Sequence, residues 1–175
     1  MELTQEEVHR LYHYDPDTGV LTRRVTLGNH SRWKAGSRTG RVVRLGKNKQ
    51  REYRIMGIGP RGQCKQFLEH RLIWFYMTGQ WPERIDHANG DGTDNRWCNL
   101  REATQSQNLA NSRLHVKNTS GVKGVCWYKP TQKWTAQISH QGKRIRLGYF
   151  EKIEDAEAAY MAAAKRLFGE FARAA

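Results

Sequence analysis

From Glu154 to Phe168 the small or apolar residues Ala156, Ala159, Tyr160, Ala163, Ala164, Leu167 and Phe168 recur at the spacing of one helical face. The acids Glu154, Asp155 and Glu157 suit the positive end of the helix dipole, and Gly169 is placed to stop the helix. Ahead of it the period changes to two. Strands are predicted at Gly124–Tyr128, Lys133–Ser139 and Arg144–Tyr149, with turns at Lys129-Pro130-Thr131-Gln132 and His140-Gln141-Gly142-Lys143. Alternation puts Trp134, Ala136, Ile138, Ile145 and Leu147 on one face and Thr135, Gln137, Ser139, Arg144 and Arg146 on the other. The apolar face is the one that must receive the helix, and Trp127 is assigned to the same core.

In the middle of the chain a strand is expected at Gln63–Glu69, then a short apolar helix, Arg71–Met77, stopped by Thr78-Gly79 and Trp81-Pro82. Arg84–His87 reads as a strand, Asn89-Gly90-Asp91-Gly92 as a turn, and Asn99-Leu100-Arg101 as the start of a return strand. Thr104 can cap a helix running to about Asn111. Nearer the N-terminus, Asp15-Pro16-Asp17-Thr18-Gly19 is a turn leading into a β-like run, Val20–Arg24. The expectation is an α+β protein in three soft-edged zones: a basic β-rich region at 1–62, a central region at 63–116, and a sheet-plus-helix module at 117–175.

Charge narrows the partners. The 175 residues carry 30 Lys+Arg against 17 Asp+Glu, a formal +13 with a pI near 10.0, so the field draws in polyanions such as nucleic acid or an anionic membrane surface. The densest apolar run, Leu72–Met77, is far too short to span a bilayer, so no membrane partner is expected. The acidic start, Met1–Glu7, lacks an apolar signal core, which gives the cytoplasm as the expected compartment. Between Arg23 and Arg54 lie 11 basic residues with Glu52 as the lone acid, a stretch suited to phosphate contacts. Cys64, Cys98 and Cys126 are scattered singly, which fits neither a disulfide framework nor a paired zinc site, and they read as reduced small hydrophobes.

Candidate chemistry concentrates at Asp86-His87, Asn99 and Asn108. These residue types can move a proton and hold a hard cation. His87 has an imidazole with an ordinary pKa of about 6.5, close enough to neutrality to take a proton from water. Asp86 offers a carboxylate oxygen and Asn108 an amide oxygen, hard donors suited to Mg²⁺. Consecutive strand residues point to opposite faces, so a regular strand could not aim both Asp86 and His87 at one ion.

This spacing, with Glu69-His70-Arg71-Leu72 ahead of the hairpin and Asn99-Leu100-Arg101, Thr104 and Asn108 after it, resembles the HNH nucleases, particularly their phage homing-endonuclease branch. The resemblance covers residues 63 to 112. It implies a ββα-metal fold in which a bent hairpin packs on a helix, Asn108 reaches the ion from that helix, and Asn99 fixes the His87 ring by hydrogen bonding. One divalent metal per site, Mg²⁺ or Mn²⁺, would be held by Asp86 and Asn108, with His87 and Asn99 as the catalytic residues and His70 as a support for the site.

Residues 121–171 resemble the plant ethylene-response-factor (Apetala-two) DNA-binding domain. The matching stretches are Gly121–Val125, Lys133–Ile138, Gly142–Phe150 and the Ala-rich helix containing Ala159-Tyr160. The resemblance implies a three-stranded sheet packed on one helix, its outer face laid in the major groove. There Arg144 and Arg146 can read guanine and Gln137 adenine, while Lys123, Lys129, Lys133 and Lys143 meet phosphate and Tyr128 stacks or touches sugar. Fewer arginines between Cys126 and Lys129, and Gln137 and Ser139 at positions charged in the plant domain, mean that the plant sequence preference does not transfer. The two resemblances together imply a metal-dependent, sequence-selective endonuclease of a phage or mobile element, monomeric, acting on double-stranded DNA. The alternative is a non-catalytic DNA-binding regulator with a vestigial HNH centre, which the intact Asp86, His87, Asn99 and Asn108 oppose.

Overall fold

The computed structural model describes residues 3–26, 34–46, 51–59 and 63–173, and the chain divides into two compact units, Met1–Glu102 and Ala103–Ala175. In the first unit, Thr4 opens helix α1 (Gln5–Leu11) with a capping box closed by Glu7. The chain continues into the hairpin β1 (Tyr12–Asp15) and β2 (Val20–Arg23), whose turn is held by Asp15 Oδ1 accepting from the backbone of Asp17 at 3.0 Å and Thr18 at 3.3 Å. An antiparallel meander follows, β3 (Arg41–Leu45), β4 (Arg51–Ile58) and β5 (Lys65–Leu68), and then α2 (Glu69–Thr78). Gly79, with φ of 73°, ends α2 where the sequence predicts, its N–H closing on the Phe75 carbonyl at 2.9 Å. The short hairpin β6 (Ile85–His87) and β7 (Leu100–Glu102) completes the unit. Val8, Tyr12, Leu21, Met56, Leu72, Ile73, Phe75, Ile85 and Leu100 belong to its buried core.

Helix α2 begins at Glu69, two residues before the helix the apolar pattern predicts and inside the expected strand. The reason is a buried ion pair. Glu69 is fully enclosed at 0% exposure, and its carboxylate accepts from Thr39 Oγ1 at 2.8 Å and Arg54 Nε at 2.6 Å. Arg54 also donates from Nη2 to the Thr39 carbonyl at 2.7 Å. One of the cations that the sequence suggests for phosphate is therefore spent on joining β4 to α2. Arg24, Lys34, Arg38, Arg41, Arg44 and Arg51 are exposed, whereas Arg32, Lys47 and Lys49 lie outside the described residues, as do Met1 and Glu2.

The second unit opens with α3 (Gln105–Asn111), whose predicted cap Thr104 forms a capping box with Gln107. Strands β8 (Val125–Tyr128), β9 (Lys133–His140) and β10 (Lys143–Phe150) form an antiparallel sheet with β9 central, and α4 (Ile153–Phe168) covers one face. Val125, Ala136 and Ile138 from the sheet and Ala156, Tyr160, Ala163, Ala164 and Phe168 from the helix make its core. Gly124 leads into β8 with φ of 69°, and a Cβ there would collide with the edge of the Tyr160 ring at Cε2 and Cδ2, so a side chain is excluded twice over. Two expectations change. Trp127, expected in the core, is 47% exposed on an edge strand, where it meets Trp134 edge-on at 5.2 Å between ring centroids. In β10 the register moves from Arg146 opposite Gln137 to Gly148 opposite Ala136, leaving Leu147 as the extra residue of a bulge. Cys64, Cys98 and Cys126 are unbridged and exposed rather than packed. Among the described residues no helix is long and apolar enough to cross a membrane.

The ion pair yields a stability prediction. Arg54→Met leaves the Glu69 carboxylate buried without its cation and should cost about 3–5 kcal/mol in denaturant unfolding, while pairing it with Glu69→Leu should recover most of that loss. A single variant as stable as the parent would contradict the role given to the pair.

Candidate functional site

The hairpin β6–β7 places Asp86 opposite Arg101 and His87 opposite Leu100, and all three residues of β6 are buried. Directly opposed residues share a face, so Arg101 can close on Asp86. Its Nε and Nη2 donate to Asp86 Oδ2 at 3.0 and 2.8 Å. His87 engages other neighbours. It is 5% exposed, its ring meets His70 edge-on with centroids 4.9 Å apart, and its Nε2 lies 3.2 Å from Asn95 Oδ1. The Tyr53 ring stands 5.5 Å from His70 and 6.0 Å from His87.

Burial dominates the electrostatics here. Desolvation holds the His87 pKa below its ordinary value, against the opposing pull of Asn95 and of the carboxylates of Asp86, Asp91 and Asp94. Burial pushes His70 down further, to about 3, with the neighbouring His87 and Arg71 acting in the same direction. Both rings are therefore neutral near pH 7. An amide oxygen only accepts, so Nε2 of His87 carries the proton toward Asn95 and Nδ1 keeps its lone pair.

The loop between the strands is tied together by its own side chains. Asn89 Nδ2 donates to Asp94 Oδ2 at 2.7 Å, Asp91 Oδ1 accepts from the Thr93 backbone at 2.9 Å, and Arg96 grips Asp94 at 2.6 Å. The Arg96 hydrogen bond holds the Asp94 carboxyl below its ordinary pKa. Asn99 was expected to bind the His87 ring. Its amide instead accepts from the Asn89 backbone at 2.9 Å and donates to the Asp94 carbonyl at 2.7 Å. It shapes the loop that presents Asn95, and Asn95 meets the imidazole. Tyr14 anchors the same point, its hydroxyl donating to the Asn95 carbonyl at 2.7 Å. Asn95 and Tyr53 escaped the sequence reading: the first sits in a polar run that reads as turn, the second in a strand distant along the chain.

Asn108 lies half-buried on α3, in the second unit. On the sheet of that unit, Arg146 is opposite Gln137, Arg144 opposite Ser139 and Lys133 opposite Tyr128, so the predicted polar residues share the face away from α4. The bulge adds Tyr149 to that face opposite Thr135, with its ring 5.4 Å from Tyr128 and under the Arg146 guanidinium at 5.3 Å. Strict alternation assigns Tyr149 to the other face, and only Gly148 hinted at the break. Lys129 is exposed in the β8–β9 turn, and Lys133 pairs loosely with Glu151 at 3.6 Å. Lys123 has a different setting. Its ammonium donates to the Ala110 carbonyl at 2.7 Å and to the Ser112 carbonyl, and burial lowers its pKa to about 8.

The family described as HNH endonuclease matches residues 67–110, which include Asp86, His87, Asn99 and Asn108, and the AP2 domain matches residues 120–170, which include β8, β9, β10 and α4. Protein 3.8 of Escherichia phage T7 is 30% identical over 119 residues, spanning 65% of this chain and 98% of its own length. The chain belongs to the HNH endonuclease family. A solved structure of the HNH homing endonuclease I-HmuI, from work on its DNA binding and cleavage, is 24% identical with a TM-score of 0.41, covering 63% of this chain and 57% of that one.

The buried histidines of this HNH protein couple folding to pH. Because their folded pKa values lie below the unfolded one, the unfolded state takes up protons first on acidification, so stability is full above about pH 6.5 and falls below it. For His70 the loss continues toward pH 3, at up to about 1.4 kcal/mol per pH unit. His70→Phe should flatten that slope in unfolding experiments between pH 7 and 4. Identical slopes in the two proteins would contradict the assignment.

Proposed function

We propose that the chain is a divalent-metal-dependent, sequence-selective endonuclease of double-stranded DNA, with His87 as the general base. The observation that supports this most strongly is the neutral imidazole of His87, buried beside Asp86 in the hairpin of the segment that matches the HNH endonucleases. In the reaction, water attacks the scissile phosphorus while Nδ1 of His87 takes a proton from that water, and the P–O bond to the bridging oxygen breaks, the leaving oxygen taking a proton from solvent. Asn95 accepts from Nε2–H and so favours the tautomer that leaves Nδ1 basic. Asn99 supports this from the loop, and His70 backs the ring.

Asp86 and Asn108 are the proposed metal ligands. Among the described residues no group of three or more His, Cys, Asp or Glu side chains gathers as a metal cage. Two hard oxygen donors instead suit Mg²⁺ or Mn²⁺, which fill the remaining positions with water and phosphate oxygens. When bound, such an ion neutralises charge on the phosphate and on the leaving oxygen. With one ion per site and one site per chain, a monomer meets one strand at a time. The sheet of the second unit selects the sequence through Arg144, Arg146 and Gln137. Tyr128, Lys129 and Lys133 hold the backbone, and Lys123 contributes its charge from the end of α3. A phage or mobile-element homing role in the host cytoplasm is the corresponding biology.

Supercoiled plasmid with Mg²⁺ should pass through an open circle before linear DNA appears, and chelator should abolish the change. His87→Ala should keep DNA binding while cleavage falls by about 10² to 10⁴, the usual worth of a positioned general base. Asp86→Ala should recover part of its activity at high Mg²⁺, and His87→Ala should not. Wild-type protein that binds the plasmid but never cuts it would favour the non-catalytic regulator.

Base reading is tested separately. Arg144→Ala and Arg146→Ala should each lower discrimination between target and random DNA by roughly 1–3 kcal/mol per lost bidentate contact. Equal loss of affinity on both DNAs would assign these arginines to phosphate.

A further inference from the structure

Two pairs of neighbouring residues meet at the core of the first unit. On β4, Tyr53 precedes Arg54; on α2, Glu69 precedes His70. Arg54 and Glu69 form the buried ion pair at 2.6 Å, while Tyr53 and His70 bring their rings to 6.0 and 4.9 Å from His87. Consecutive strand residues point to opposite faces, so a clamp on Arg54 also fixes the direction of Tyr53. The loop between β6 and β7 also reaches the Tyr53 ring. A Cβ at Gly92 would come within 2.6 and 2.7 Å of Tyr53 Cε1 and Cδ1 and would press on the Glu52 carbonyl, so only glycine lets the loop lie there.

We propose that Tyr53 is a positioning residue for the nuclease chemistry: its ring, clamped through the Arg54–Glu69 pair and seated on Gly92, walls the His87 imidazole into its working orientation. The proposal rests on the nuclease reading given above. A base acts only within about 0.5 Å and 10–20° of its productive geometry, and misplacement near 1 Å costs about a hundredfold. Beyond the Asn95 contact at 3.2 Å, holding the imidazole in one orientation requires that neighbours fill the space beside it. Tyr53 and His70 close it. Because the role is steric, the aromatic ring should matter and the phenolic hydroxyl should not. Because Tyr53 acts through His87, turnover should change without DNA affinity.

The test is nicking of supercoiled plasmid by the full chain with Mg²⁺, followed as kcat and KM, with thermal melting of each variant. Tyr53→Leu should lose about 10- to 100-fold in kcat with KM unchanged, and Tyr53→Phe should restore the wild-type rate. Gly92→Ala, which keeps the tyrosine but pushes on it, should lower kcat in the same way and decides the matter if Tyr53→Leu does not fold. Wild-type kcat in Tyr53→Leu, a loss confined to KM, or equal losses in the Leu and Phe variants would overturn the proposal. Wild-type and His87→Ala chains run alongside. If the wild type leaves the plasmid intact, the nuclease reading itself fails; if it cuts and Tyr53→Leu cuts equally well, only the role of Tyr53 does.

Discussion

A carboxylate at 0% exposure loses its hydration, and Glu69 is tolerated in the core only because Arg54 and Thr39 satisfy it there. That requirement orders much of the first unit. It sets where α2 begins, how β4 lies against it, and therefore where the adjacent residue on each element points. Tyr53 and His70 are those residues, and their rings bound the space in which His87 sits. The imidazole is thus located by a strand and a helix rather than by the hairpin loop alone, which suits a group whose chemistry tolerates little angular error.

In the proposed reaction, burial also bears on how a base works next to a polyanion. Phosphates brought close to an imidazole raise its pKa, and a fully solvated histidine would become protonated as DNA arrived. His87 starts from a lowered value because it is desolvated, which opposes the rise that a nearby phosphate causes. The net charge of +13 then serves attraction of the substrate, while the centre itself carries a neutral ring beside the paired Asp86 and Arg101. The cost is visible in His70 Nδ1 and Asn95 Nδ2, buried atoms without a hydrogen-bond partner among the described residues.

Features governed by local periodicity were legible in the sequence. The stripe from Ala156 to Phe168 gives α4, Gly79 ends α2, Thr104 caps α3, and the strands expected at Gln63–Glu69, Gly124–Tyr128, Lys133–Ser139 and Arg144–Tyr149 fall within two residues of β5, β8, β9 and β10. Asp86 and His87 lie on β6, and Asn99 directly precedes its partner strand β7. What the sequence hid depends on long-range partners. Glu69 looked like the end of a strand because its partners, Thr39 and Arg54, lie 30 and 15 residues away. Tyr149 changed faces through a bulge that alternation cannot register, and Trp127 lost its cover by lying on an edge strand. Asn99 and Asn95 are chemically identical side chains in one loop, and only the fold decides which faces the imidazole and which ties the backbone. Lys123 resembled a phosphate contact, but its ammonium closes the carbonyl end of α3.

Everything in the proposed chemistry turns on the state of one ring, and nuclear magnetic resonance of the ¹⁵N-labelled imidazole in the intact protein reads it directly. A pH titration should show His87 neutral at pH 7, protonated on Nε2, with a midpoint below the ordinary value of about 6.5. A midpoint above that value, or a proton on Nδ1 in the neutral ring, would contradict the account of His87 as a buried base held by Asn95.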